Sequence, residues 1–123
     1  MALVTIPTSA QVYLEVDGKR LAAAQSYRVR SSRESRYVES FGSEEPVGTV
    51  GGRVRHQVEF SRVCLCDGEV DFYGMQDFSL VIVKPDGQEV FTGCQWSEIV
   101  QSAGVDEVIL EKVTAVATGR MKM

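Results

Sequence analysis

The stretch "SFGSEEPVGTVGGRVRHQVEFSRV", residues 40–63, decides the fold, because its two halves are different kinds of chain. From Arg53 the residues alternate. Val54, His56, Val58 and Phe60 share one face, and Arg53, Arg55, Gln57, Glu59 and Ser61 the other. That period of two predicts a long, two-faced strand. His56 falls on the apolar face, where a lone histidine reads as a hydrogen-bonded core residue rather than a ligand or base. The half before it contains Gly42, Gly48, Gly51 and Gly52, a Glu44-Glu45 pair and Pro46. Its glycines work against regular packing, so residues 39–52 read as a loop. A loop of that length in a compact domain is functional or disordered. Phe41 and Val47 supply apolar contact points that a solvated linker would not need.

Upstream, "AQVYLEVDGKRLA" predicts a hairpin with Val12, Leu14 and Val16 on one face. Asp17-Gly18 is a two-residue turn signal, since glycine accepts the positive φ of a type I′ turn. The chain returns through Leu21 and Ala22–Ala24 into "QSYRVRSSRESRYVES", a long polar strand. Tyr27 and Val29 face one way, and Arg28 and Arg30 the other. Arg28, Arg30, Arg33 and Arg36 form a basic run. Glu34 interrupts it, and Tyr27 and Tyr37 are the only aromatics nearby. A solvated or subunit-contacting face suits this pattern better than a nucleic-acid surface.

Downstream, Asp67 could cap a short helix over 67–76, with Val70, Tyr73 and either Phe72 or Met75 on its buried side and Gly74 limiting its length. "FSLVIVK" and "EVFTGCQW" read as strands joined by "PDGQ", a second Asp-Gly turn. The second of these strands extends toward Val100. Residues 105–117 are rich in Val, Ile and Thr and predict a last strand, with a helix as competitor because Glu107 and Glu111 are four apart. "RMKM" reads as a basic tail. The expected architecture is mainly β: an antiparallel sandwich or barrel of six or seven strands with one short helix, in a single domain spanning 1–123.

The 123 residues suffice for one core. The net charge of −4 lacks the broad electrostatic footprint of a duplex-binding protein. The charge is uneven: residues 1–62 carry nine Lys/Arg and seven Asp/Glu, and residues 63–123 carry four and ten. Such an imbalance can be chance on a solvated surface, or two complementary faces suited to contacts between copies. Cys64, Cys66 and Cys94 do not make a disulfide framework, and with only His56 beside them they do not make a zinc site. They read as buried or half-buried thiols of a reducing cytoplasm. "MALVTIPTSAQ" lacks the charge and apolar run of a signal peptide, and no stretch is apolar for the ~20 residues a membrane helix needs. Membrane insertion is therefore not expected.

No catalytic set emerges. One core-facing histidine does not build a triad. "GTVGGRV" lacks the Lys-Ser/Thr ending of a phosphate loop and leads into a strand. Glu44-Glu45 and Asp106-Glu107 are adjacent pairs, which on strands point to opposite faces. The chain reads as neither an enzyme nor a cofactor or metal protein. Long two-faced strands must have their edges covered, and neighbouring copies are one way to cover them.

These residues carry a resemblance. "QVYLEVDGKRLAAAQSYRVRSSRESRYVESFGSEEPVGTVGGRVRHQVEFSRV" resembles the N-terminal half of tail tube proteins from contractile-tailed bacteriophages and phage-tail-like particles. "FSLVIVKPDGQEVFTGCQWSEIVQSAGVDEVILEKVTAVA" is similar to the closing strands of that family. The resemblance implies a virion structural subunit, found in the virion tail and assembled in the host cytoplasm. Its hexameric rings would stack into a tube, with hairpins from every copy joining one inner β-barrel. Sheath, baseplate and tail terminator proteins would be its partners, and DNA would pass through the lumen without specific binding.

By position, residues 39–52 match the loop that reaches an adjacent ring, with Phe41, Glu44, Glu45 and Val47 as contacts. Basic residues over 28–36 (Arg28, Arg30, Arg33, Arg36) and over 53–55 (Arg53, Arg55) are candidate partners for the acidic pair. An arginine-rich face is an awkward lining for a DNA conduit, because it would hold phosphate. Those arginines are therefore expected at a subunit contact, paired with carboxylates. The alternatives are a tail terminator or baseplate ring protein, and a monomeric β-barrel binding module or small enzyme.

Overall fold

The computed structural model describes residues 6, 8–65 and 70–123. A 3-10 turn, Ser9–Gln11, leads into β1 (Tyr13–Val16), β2 (Lys19–Arg20), β3 (Ala24–Val38) and β4 (Gly48–Val63). β5 (Phe78–Lys84), β6 (Gly87–Ser102), β7 (Leu110–Ala117) and β8 (Gly119–Lys122) follow. Every strand pairing is antiparallel.

The strands make two sheets that share β6. Its first half pairs with β5 on one side and β8 on the other. Its second half, from Gln95, pairs with β7. One sheet thus runs β2-β1-β5-β6-β8, and the other β6-β7-β4-β3. The strand changes sheets at Gly93, where φ is +62° and an added Cβ would strike the Thr118 side chain. A strand that turns a sandwich corner needs such a kink. β7 and β8 follow β6 round the same corner, and the Thr118 amide bonds the Thr92 carbonyl at 3.0 Å across it.

Between the sheets lies the core. Leu14, Val16, Leu80, Ile82 and Phe91 come from one sheet, and Val58, Phe60, Val113 and Ala115 from the other. Phe60, Phe72 and Phe78 form an aromatic chain with ring centroids 5.0 and 5.8 Å apart. Phe72 comes from the connection between β4 and β5, so this segment closes one end of the core. Cys94 is buried there, and burial pushes its thiol up to about 11.

The Asp17-Gly18 turn forms as expected, with φ of +49° and +81°. The "PDGQ" turn is built differently. Lys84 pairs with Gly87, which leaves Pro85 and Asp86 as the central residues. Proline's fixed φ suits the first central position, and glycine suits the fourth residue of the turn, Gly87, which follows them.

Three expectations change. The short helix over 67–76 begins outside the described residues, and 70–76 is bend and turn rather than helix. There Asp71 Oδ1 accepts from the Tyr73 amide at 3.1 Å, and Met75 N bonds Phe72 O, contacts that favour a turn. The loop of 39–52 is shorter, because Gly48–Gly52 belong to β4. The basic tail is strand β8, fastened to β6 from Glu89↔Lys122 to Thr92↔Gly119.

Candidate assembly interface

β3 and β4 are 15 and 16 residues long, but β7 covers β4 only over His56–Val63. Beyond that point, among the described residues, no further strand pairs with the β3–β4 hairpin, and residues 31–37 and 48–55 are exposed on both faces. Eight residues at ~3.3 Å each carry this arm about 25 Å beyond the sheet. It bends once. Between Arg33↔Val54 and Ser35↔Gly51 the register shifts by one residue. Gly52 sits at this bulge, where a Cβ would lie 2.7 Å from the Glu34 carbonyl oxygen, so only glycine admits the close backbone approach.

The root of the arm is clasped. Glu89 accepts from Arg120 at 2.5 Å and pairs with Lys84 at 3.2 Å. The other arm of the Arg120 guanidinium donates to Ser31 Oγ at 2.9 Å, and that hydroxyl lies 2.9 Å from His56 Nδ1. The chain of contacts ties the second sheet's hairpin to the first sheet. Burial pushes the Glu89 carboxyl up, but hydrogen bonds and charge from Arg120 and Lys84 together outweigh it and hold its pKa below the ordinary value. His56 is thus half-buried and hydrogen-bonded, on the apolar side as expected.

At the other end of the same sheet a buried pair joins β4 to β7. Arg62 Nε donates to Glu111 Oε1 at 3.0 Å, and Gln101 of β6 donates to Glu111 Oε2 at 2.9 Å. The guanidinium also donates to the Val70 carbonyl and covers the Phe72 ring at 4.8 Å.

Among the described residues the second sheet has two unpaired long edges, the outer side of β3 and the outer side of β6 over Gln95–Ser102. One face of the sheet packs on the core. The other is mainly polar: Arg28 stands across from Glu59, Arg30 from Gln57 and Ser32 from Arg55, with Lys112 and Glu98 continuing it on β7 and β6 and the exposed Val116 and Val100 among them.

Arg28 and Arg30 lie on this polar face. Arg33 is on the core-side face, with its guanidinium over Gly51, and Arg36 is farther out, across from Val50. Arg53 sits at the bulge. Arg55 pairs with Glu34 at 3.2 Å within the arm. Phe41, Glu44 and Glu45 occupy the tip, where Phe41 is fully exposed, and the Val47 amide closes the hairpin on Val38 O at 2.9 Å. Among the described residues no ion pair links Glu44 or Glu45 to the arginines.

Sequence reasoning missed the β6 edge, where Trp96 and Ile99 are half-buried on the core side and Tyr73 stacks on Trp96 at 5.4 Å. It also missed the apolar residues at the end opposite the arm, Val105, Val108 and Ile109, all exposed. A run of apolar residues after a Ser-Ala-Gly turn was the available signal.

Neither a family model nor a curated protein matches this sequence. Solved structures do match its fold. A chain from the sheath/tube terminator of an extracellular contractile injection system in its extended state superposes with a TM-score of 0.79 at 10% identity, covering 99% of each chain. A chain from the tail of an empty gene transfer agent particle, computed with C6 symmetry, has a TM-score of 0.70 at 16% identity, covering 91% of this chain and 93% of that one. The SPP1 tail tube protein has a TM-score of 0.67 at 13% identity, covering 90% of this chain and 75% of that one. The chain therefore has the phage tail-tube fold.

Proposed function

We propose that this chain is a structural subunit of a phage-tail-like tube, in which copies close rings edge to edge and the rings stack through the β3–β4 arm. The observation that carries this reading is the pair of long, unpaired edges on one sheet. β3 runs antiparallel to β4, β4 to β7 and β7 to β6. The two edges therefore run in opposite directions, and copies related by rotation continue one antiparallel sheet from β3 of one to β6 of the next. Exposed edges of this length are aggregation templates unless a partner covers them.

The first sheet covers the core face, so it must lie outside such a ring. The polar face then lines the bore. Six four-stranded sheets, the number suggested by the C6 symmetry of the gene transfer agent tail, give about 24 strands. At ~4.8 Å spacing and ~40° tilt these make a barrel roughly 48 Å across at the backbone. A bore of mixed charge carries DNA without holding it. Arg28 and Arg30 belong to that bore as well as to a subunit contact. The arm places Phe41, Glu44, Glu45 and Val47 on the ring above, against an end that presents Val105 and Val108.

Negative-stain microscopy of the concentrated protein tests the reading; rings and tubes are expected. Replacing residues 32–55 by an Asn-Gly turn should leave a folded subunit that forms no tubes. Tubes from that variant remove the arm from the mechanism. Single rings that never extend indicate a tube terminator or baseplate ring, and a strict monomer at high concentration refutes the proposal.

A further inference from the structure

We infer that the ring's lateral register is encoded by Arg28 on β3 of one copy and Glu98 on β6 of the next, flanked by Tyr27 against Ile99 and Val29 against Trp96. This rests on the ring reading above and specifies its contact.

The two strands must meet face to face in kind. On β3, Tyr27 and Val29 share the core side and Arg28 and Arg30 the polar side, by their pairing with Phe60, Val58, Glu59 and Gln57. On β6 the alternation is interrupted. The register with β7 shifts between Trp96 and Glu98, so that Trp96 and Ile99 share the core side and Gln95, Glu98 and Val100 the polar side. Ser97 is the extra residue, and its hydroxyl is tied back to the Thr114 carbonyl at 3.2 Å.

Setting Arg28 opposite Glu98 brings Tyr27 opposite Ile99. Across the bulge it brings Val29 opposite Trp96 and Arg30 opposite Gln95. Each pair then matches in face and chemistry. A slip of two, with Arg30 opposite Glu98, sets Tyr27 against Gln101, whose amide is already committed to Glu111. A slip of one puts every side chain on the wrong face.

Two further observations agree. Among the described residues neither Arg28 nor Glu98 has an ion pair; Glu59, the carboxylate across from Arg28, is matched instead to Lys112 at 3.9 Å. Each charge is thus available at its own edge. Beside the β3 edge an open cleft runs between the sheets, lined by Val12, Leu14, Ala24 and Tyr27. The β6 edge carries the stacked Tyr73–Trp96 pair, an aromatic projection of the kind such a cleft accepts. The pairing also answers the objection to arginine in a DNA conduit, since the carboxylate of the neighbouring copy neutralises Arg28 where it faces the bore.

The test is a charge exchange in the full-length protein. R28E and E98R each place like charges opposite one another at every contact of the ring. Each should raise the concentration at which rings or tubes appear by roughly five-fold or more, because like charges directly opposite destabilise and the effect recurs at each interface. The R28E/E98R double variant should restore assembly. The E98R monomer should melt as the wild type does, since Glu98 is exposed and stands across from neutral Thr114. R28E faces Glu59 within its own hairpin and should lower the monomer melting temperature slightly, equally in the single and the double variant, so that recovery of assembly by the double variant is read at matched monomer stability. As a second measurement, oxidised Arg30→Cys/Gln95→Cys protein should give a covalent ladder ending at the closed ring, which the wild-type protein does not give.

If wild-type rings form but the exchange fails to restore them, or Arg30→Cys/Glu98→Cys cross-links in place of Arg30→Cys/Gln95→Cys, this register is overturned and the ring reading stands. If wild-type protein forms no ring, both fall.

Discussion

Removing one carboxylate, that of Glu111, should cost this protein a large share of its stability. The Arg62 and Glu111 side chains are 4% and 9% exposed and meet at 2.9 Å. Glu111→Ala leaves the guanidinium with the Val70 carbonyl and the Phe72 ring but no counter-charge. Losing one partner of a buried pair costs about 3–5 kcal/mol. The Gln101 amide also loses its acceptor. At roughly 3–4 °C per kcal/mol for a domain near this size, the melting temperature should fall by about 10–20 °C.

The comparison is Glu34→Ala, which breaks the Arg55–Glu34 pair, whose side chains are 69% and 66% exposed. Solvent screens that pair, and its loss should stay within ~1 kcal/mol. Replacing the buried pair outright, Arg62→Met with Glu111→Leu, should recover most of the loss, because the desolvation penalty goes with the charges. Urea unfolding of all three variants measures this. A Glu111→Ala loss below ~1 kcal/mol with an unchanged m-value would refute the reasoning, since it would mean that water reaches Arg62.

Acid should loosen the clasp at the arm's root. Glu89's folded pKa is depressed below the ordinary 4.5, so its stabilisation is complete above that value and is lost as pH falls through the lower, folded one. Melting curves between about pH 3 and 6 should therefore drop less steeply for Glu89→Gln than for wild type; parallel curves would contradict the assignment. At the bulge, Gly52→Val drives a Cβ into the Glu34 backbone. It should abolish amide exchange protection over 32–38 and 48–54 while moving the global melting temperature by no more than a few degrees, because the arm beyond its root is exposed on both faces. Unchanged protection would show that the bulge is not needed there.

What the sequence made legible follows from where period-two patterns run unbroken. Val54 to Phe60 and the Asp17-Gly18 turn were plain, and with them the long hairpin and the mainly antiparallel fold. The same alternation carried two residues further reaches Arg62, and a charge on an apolar face demands a buried partner; the reading stopped short of it. The β6 edge was hidden by its bulge. Strict alternation puts Trp96 on one face with Glu98, whereas the extra Ser97 sets them on opposite faces. Glycines misled at 48–52, where they mark a bulge and a close strand approach rather than a loop. β8 was illegible because "GRMK" has no pattern of its own; it is strand only because β6 offers it an edge.

The corner at Gly93 has a mechanical consequence. Because one unbroken polypeptide, β6, belongs to both layers, the layers cannot shear past each other without straining covalent bonds. A pull exerted on the bore wall is delivered to the outer layer along peptide linkages, while the hydrogen bonds beside them carry only what is left.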